Sequence, residues 1–312
     1  MHKLIRIGTR ESQLAVWQAN QVKELLLQSG YDATLVFIKS EGDIDLQTPL
    51  YEMGVQGIFT RSLDMALLNN RIDLAVHSLK DVPTQLPSGL VQSAVLERGP
   101  VNDLLVFKNA STFDKYASLP ENGSTFIVAT SSIRRKAQWL HKYPQHEVKN
   151  LRGNVNTRLE KVYQENWHAA IFAQAGLERI SLRPVNSVVL DWMLPAPAQG
   201  AIVVVSREDD AVSFEACRLF NHEPTALCTK IERDFLRTLL GGCSTPISAL
   251  AVEENSIIHF KGNILSLNGR EKVEIERKAK SILSTELGNQ AAREILERGG
   301  QEITNTIRNA AE

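Results

Sequence analysis

The sequence is short of cysteine, of net charge and of long apolar runs, and each shortage removes a class of protein. Only Cys217, Cys228 and Cys243 occur in 312 residues. Three cysteines make no disulfide framework, no pair of them has metal-site spacing, and the number fits a reducing compartment. Lysine and arginine total 35 against 36 acidic residues, a formal net charge of −1. No global field then recruits nucleic acid or an anionic membrane, so any anion binding must come from arginines clustered locally. No apolar run is long enough to span a bilayer, and Met1-His2-Lys3-Leu4-Ile5-Arg6 lacks the apolar core of a signal peptide. The expectation is a cytoplasmic monomer with neither nucleic acid nor membrane as partner. The histidines show no metal spacing, no metal is expected, and no glycine-rich phosphate loop is present.

What is there is a recurring strand, polar turn and helix. Ile5 to Gly8 reads as a first strand, and Ser12 caps a helix running to about Ser29. Ala33 to Ile38 is the next strand, Ser40 to Gly57 a long loop of the kind that forms lids, and Phe59 to Asn69 a helix. Further strands at Phe126–Ala129, Val148–Leu151 and Ala169–Ala173 each lead into a polar turn and a helix. The pattern implies mainly parallel sheets with helices on both faces. Gly8-Thr9 and Ala129-Thr130 both close a strand and open a helix, a faint internal echo. Crossings near Pro100 and Pro197 suggest two lobes joined by a double hinge. Beyond them, a helix to Leu240 is followed by three alternating strands, Ile247–Val252, Ile257–Leu265 and Val273–Ala279, and a closing helix from Ser284 to Gly299. The expected division is residues 1–99 plus 200–220, residues 100–199, and a small C-terminal α+β domain over 221–312.

Two constellations carry chemistry. Leu74-Ala75-Val76 reads as a buried strand running into His77-Ser78-Leu79-Lys80-Asp81, so a cation and a carboxylate fall just beyond a strand's carboxyl end, where open α/β sheets bind ligands. Arg10, Arg134, Arg135, Arg152, Arg158 and Arg179 form the second, several of them near helix N-termini beside Ser12, Thr130, Ser131 and Ser132. A cation there opposes the helix dipole unless an anion accompanies it, and arginine grips carboxylates with two prongs. The set implies a ligand with several carboxylates or phosphates. Cys243 follows Gly241-Gly242 at a helix end. A nucleophile, a covalent attachment point and a plain loop thiol all fit that position. Cys217 and Cys228 lie within helical patterns as small core residues.

Five ordered motifs resemble the porphobilinogen deaminase (hydroxymethylbilane synthase) family: Arg10-Glu11-Ser12-Gln13-Leu14-Ala15, Ala75 through Pro83, Thr130-Ser131-Ser132-Ile133-Arg134-Arg135, Leu151 through Leu159, and Gly241-Gly242-Cys243. The resemblance implies an α/β fold of two periplasmic-binding-protein-like lobes joined by a double hinge, plus a C-terminal α+β domain with a three-stranded antiparallel sheet. It implies a transferase of tetrapyrrole (haem) biosynthesis. Four porphobilinogen molecules would be condensed head to tail with loss of ammonia, and a linear tetrapyrrole released by hydrolysis. It further implies that Cys243 carries a dipyrromethane cofactor as a thioether and that Asp81 is the catalytic carboxylate. Arg10, Ser12, Gln18, Ser78, Lys80, Thr130, Ser131, Ser132, Arg134, Arg135, Arg152, Gly153, Arg158 and Arg179 would hold cofactor and substrate. The family commonly has a lysine where this chain has Gln56. A two-lobed anion-binding or ligand-sensing protein without catalysis is the alternative. It leaves Cys243, Asp81 and the third domain without a role.

Overall fold

The computed structural model describes residues 4–39, 60–112, 126–239 and 245–309. Its described elements fall into two compact units. The first takes in 4–39, 60–99 and 200–227, the second 100–112, 126–199, 228–239 and 245–309. The chain passes between units at Gly99–Pro100 and at Gln199–Gly200.

The first unit holds β1 (Ile5–Thr9), α1 (Gln13–Gln28), β2 (Ala33–Phe37), α2 (Arg61–Leu68), β3 (Leu74–Ser78) and β4 (Leu90–Val95). Beyond the second crossing come β10 (Ile202–Arg207) and α6 (Ala211–Arg218). Its five-stranded sheet has the order β2-β1-β3-β10-β4. β1 pairs parallel with β2 and β3, whereas β10 pairs antiparallel with both β3 and β4. Period-2 alternation puts Ile5, Ile7, Leu74, Val76, Ile202 and Val204 on one face, against Ala19, Val22 and Leu26 of α1 and Cys217 of α6. α1 starts where Ser12 caps it, its side chain accepting from the Ala15 N–H, and ends at Ser29.

The second unit repeats the plan with β5 (Asp103–Phe107), β6 (Ile127–Ala129), α3 (Ile133–Lys142), β7 (Glu147–Lys149), α4 (Val155–Gln164), β8 (Ala169–Ala173), α5 (Gln174–Glu178) and β9 (Ser187–Leu190). Its order is β7-β6-β8-β5-β9, with β5 antiparallel to β8 and β9. Both faces are buried. Leu104 and Val106 pack with Leu151, Val162 and Leu177, while Leu105 and Phe107 pack with Trp139 and Tyr143. Burial on both sides explains the unbroken apolar run Leu104-Leu105-Val106-Phe107.

The sheets therefore correct the expectation of mainly parallel pairing. In each, the strand that follows a crossing (β5 after the first, β10 after the second) inserts antiparallel between two strands parallel to one another. β5 and β9 were not foreseen in the sequence, and α6 only as a helical pattern around Cys217.

C-terminal to these lie α7 (Glu223–Thr238), β11 (Ile247–Glu254), β12 (Ile257–Leu265), β13 (Lys272–Lys280), α8 (Leu287–Ile295) and α9 (Gln301–Asn309). The three strands form the expected antiparallel sheet, order β11-β12-β13. Asn255 and Ser256, both at positive φ, make the tight β11–β12 turn, as a hairpin of this twist requires. Gly269 serves a close approach instead. Its carbonyl meets His141 Nδ1 at 2.7 Å, and a Cβ there would lie 2.4 Å from the Ala137 carbonyl oxygen in α3. The closing helix is two helices, kinked at Gly299 with φ 108°. This sheet belongs with the second unit because Gln138 of α3 bonds Ser248 of β11 and the Ala249 N–H donates to the Pro195 carbonyl.

Candidate active site

In both units the predicted residues collect at the carboxyl ends of the parallel strands. At the end of β3, Leu79–Asp81 form a single 3-10 turn, fastened by the Leu79 N–H to the Ala201 carbonyl and by the Val82 N–H to the Leu79 carbonyl. Lys80 and Asp81 are half-buried there, while Leu79 is buried and anchors the turn. Arg10 and Ser12 stand beyond the end of neighbouring β1. Gln18 of α1 is buried, and its side-chain amide donates to Ser78 Oγ at 2.8 Å, so these two are brought together. His77, just before Ser78, is 6% exposed, and its Nε2 has no hydrogen-bond partner. Burial, helped by the nearby Arg10 cation, pushes its pKa down to about 3, so the imidazole is neutral at physiological pH.

In the second unit Thr130, Ser131 and Ser132 follow β6. Thr130 N–H donates to the Lys149 carbonyl, Ser131 Oγ to the Leu151 carbonyl, and Ser132 caps α3. Arg152 and Gly153 follow β7. Arg152 is 4% exposed, and Gly153 turns the chain at φ +114°, where a Cβ would lie 2.9 Å from Thr157 Cβ. Asn154 then caps α4, which carries Arg158. Arg179 follows β8 and α5, and burial alone lowers its pKa to about 10.

Arg134 and Arg135 have a partner that the sequence did not announce. They lie in the first turn of α3 but turn inward onto Asp103 of β5, which is wholly buried. Arg134 Nη2 donates to Asp103 Oδ2 at 2.7 Å, and Arg135 Nη2 and Nε donate to Oδ1 at 2.8 and 3.1 Å. Gln199 Nε2 donates to the same Oδ1 at 2.9 Å. Arg134 also reaches the Leu194 carbonyl, and Arg135 the Ile171 carbonyl. Burial by itself raises the Asp103 pKa, and the two guanidiniums reverse this, holding it well below the usual carboxylate range. The counter-anion that the cationic helix start demands is thus partly internal. Asp103 escaped sequence reading because its strand did. The available signal was an acid at the head of a four-residue apolar run.

Cys243, Gln56 and the expected lid loop lie outside the described residues. Cys217 and Cys228 are buried, and burial pushes the Cys217 thiol far up. Among the described residues no group of three or more His, Cys, Asp or Glu could hold a metal, and no helix is long and apolar enough to cross a membrane.

Comparison with known proteins decides the kinship. Residues 5–215 match the family described as "Porphobilinogen deaminase, dipyromethane cofactor binding domain", and residues 226–297 match "Porphobilinogen deaminase, C-terminal domain". The chain belongs to the porphobilinogen deaminase family. Curated porphobilinogen deaminases agree. That of Chloroherpeton thalassium is 40% identical, covering 99% of each chain. That of Moorella thermoacetica is also 40% identical, covering 97% of this chain and 96% of its own. The chloroplastic enzyme of Oryza sativa subsp. japonica is 39% identical over 95% of this chain and 84% of its own. Among solved structures, the methionine binding protein MetQ is 14% identical, with a TM-score of 0.42 over 69% of this chain and 88% of that one. That likeness is too slight to carry an argument.

The described residues fit a dipyrromethane, which carries several carboxylates. Two buried guanidiniums face one carboxylate at Asp103, Arg134 Nε has no hydrogen-bond partner, and burial lowers the Arg179 pKa to about 10. Such an edge wants anions.

Proposed function

We propose that this porphobilinogen deaminase is a hydroxymethylbilane synthase, condensing four porphobilinogen molecules head to tail with loss of ammonia and releasing the tetrapyrrole by hydrolysis. One observation carries the reading. The carboxyl ends of the parallel strands bear Asp81 with Lys80 in the first unit and a cation-rich hydroxyl edge in the second. A polycarboxylate that becomes cationic during reaction needs both.

The residues divide the work. Arg10, Ser12, Gln18, Ser78 and Lys80 in the first unit, with Thr130, Ser131, Ser132, Arg152, Gly153, Arg158 and Arg179 in the second, hold acetate and propionate groups and the pyrrole units they belong to. Arg134 and Arg135 act chiefly through Asp103. A dipyrromethane held at Cys243 supplies the primer for chain growth. Asp81 faces the substrate where loss of ammonia leaves a cation and stabilises that charge. A pair of unit charges ~4 Å apart gains about 4 kcal/mol at an effective dielectric of 20, against about 1 in water. Excluding water around Asp81 therefore matters. The gap between the two family matches, from 215 to 226, supports a C-terminal domain starting near residue 221.

Incubating the purified protein with porphobilinogen tests the reading. Ammonia and a linear tetrapyrrole should appear in a ratio of four to one. Binding of porphobilinogen with no ammonia release would mean a ligand-sensing protein instead.

A further inference from the structure

The buried charges at the head of α3 do not balance. Asp103 is one carboxylate at 0% exposure, while Arg134 and Arg135 are two guanidiniums at 4% and 6%. Asp103 Oδ1 accepts from Arg135 Nε, Arg135 Nη2 and Gln199 Nε2, and Oδ2 accepts from Arg134 Nη2. Asp103 thereby accepts four hydrogen bonds from the protein and, at 0% exposure, offers no surface to a ligand. Both arginines lie within three residues of Ser132, the cap of α3, and the ligand hydroxyls Thr130 and Ser131 precede it directly. Gln199 is the last residue before the chain crosses to the first unit, and its side chain also reaches the Val101 carbonyl at 2.7 Å.

We propose that Asp103 is a positioning residue for the reaction: it fixes Arg134, Arg135 and the Gln199 segment so that the surplus positive charge and the hydroxyls at the head of α3 meet the ligand carboxylates in one alignment. The proposal rests on the condensation reaction argued above. Asp103 touches no ligand. It acts through the arginines, holding Arg135 by two donors on Oδ1 and Arg134 by one on Oδ2. The Gln199 contact extends the same alignment to the polypeptide that enters the crossing.

Removing this charge separates attraction from alignment. In Asp103→Asn the positive charge at the α3 head is undiminished, so porphobilinogen is still drawn in and KM changes by less than about threefold. The arginines lose their fixed angle, and misplacement by about 1 Å lowers kcat some 10- to 100-fold. Asp103→Glu, which restores the charge one methylene further out, recovers part of kcat.

The experiment measures kcat and KM by ammonia release, normalised to the fraction of protein that carries dipyrromethane by intact mass. A purely structural role would lower that fraction or the thermal midpoint but leave kcat per loaded enzyme at the wild-type value, and this result overturns the proposal. If Asp103→Asn does not fold, Gln199→Leu reads the same split, because it strips one donor from Oδ1 without changing a charge. A kcat lowered about two- to threefold at unchanged KM then supports the alignment, and an unchanged kcat overturns it. Absence of turnover in the wild-type protein would refute the condensation reading itself, a distinguishable failure.

Discussion

Asp81 owes its place to three neighbours: buried Leu79 beneath it, the Ala201 carbonyl holding the turn, and Val82 closing it. None of these contacts uses its carboxylate, so Asp81→Ala should leave the fold and the bound cofactor in place. Turnover should fall by about 100- to 1000-fold, the usual cost of deleting a group aimed at transition-state charge. Asp81→Glu should keep a little activity, and near-normal ammonia release by Asp81→Ala would remove the assignment. His77 makes a different prediction. Its pKa falls from the ordinary 6.5 to about 3 in the folded protein, so between those values the unfolded chain binds the extra proton. Stability is therefore lost as pH drops below about 6.5. From pH 7 to pH 5 the loss attributable to His77 is about 2 kcal/mol. Asp64 runs the other way. Burial pushes its pKa up to about 6 against a pull from Thr60, so below that value the folded state holds the extra proton. The His77→Gln variant isolates the histidine, because Asp64 is common to both proteins. Urea unfolding at the two pH values should show His77→Gln losing about 2 kcal/mol less than wild type, and equal losses would contradict the buried, neutral assignment.

At the scale of elements, the strand ends and caps were readable locally, and the partnerships were not. Ser12, Ser132 and the Leu74–Val76 run announce themselves, since capping hydroxyls and a short buried strand are local signals. β5 and β9 pair with strands distant in sequence, and nothing in Asp103–Phe107 encodes which neighbour it joins or in which direction. That is why the buried acid that Arg134 and Arg135 both bond, Asp103, was not legible in the sequence. The distinction is measurable. Arg135→Leu strips two of the four hydrogen-bond donors from the buried Asp103 carboxylate, and each bond to a charged group is worth about 1.5–3 kcal/mol. Arg152→Leu removes a cation from the ligand edge and should stall cofactor assembly or elongation with less loss of stability. Chemical denaturation and elongation profiles of the two variants should therefore diverge. Equal loss of stability in both would mean that Asp103 is not the principal partner of Arg135.

At the scale of the whole molecule, the echo between Gly8-Thr9 and Ala129-Thr130 proved to mark equivalent strands, β1 and β6, each second in a sheet of the same topology. The exchange of one strand at each crossing, and the clustering of the C-terminal sheet with the second unit, were invisible to patterning because both depend on contacts far apart in the chain. The family's motifs nevertheless run from Arg10 to Cys243, with the first family match taking in Arg10 and the second Cys243. What unites these features is the proposal that Cys243 anchors the growing pyrrole chain on which Asp81 and the arginines act. An intact-protein mass spectrum tests it most directly. The purified chain should exceed its sequence mass by one dipyrromethane, stable to thiol reductants as a thioether is, with the excess confined to the peptide containing Cys243. Brief exposure to porphobilinogen should add a ladder of further pyrrole units. An active preparation whose Cys243 peptide carries only an unmodified thiol would contradict the account.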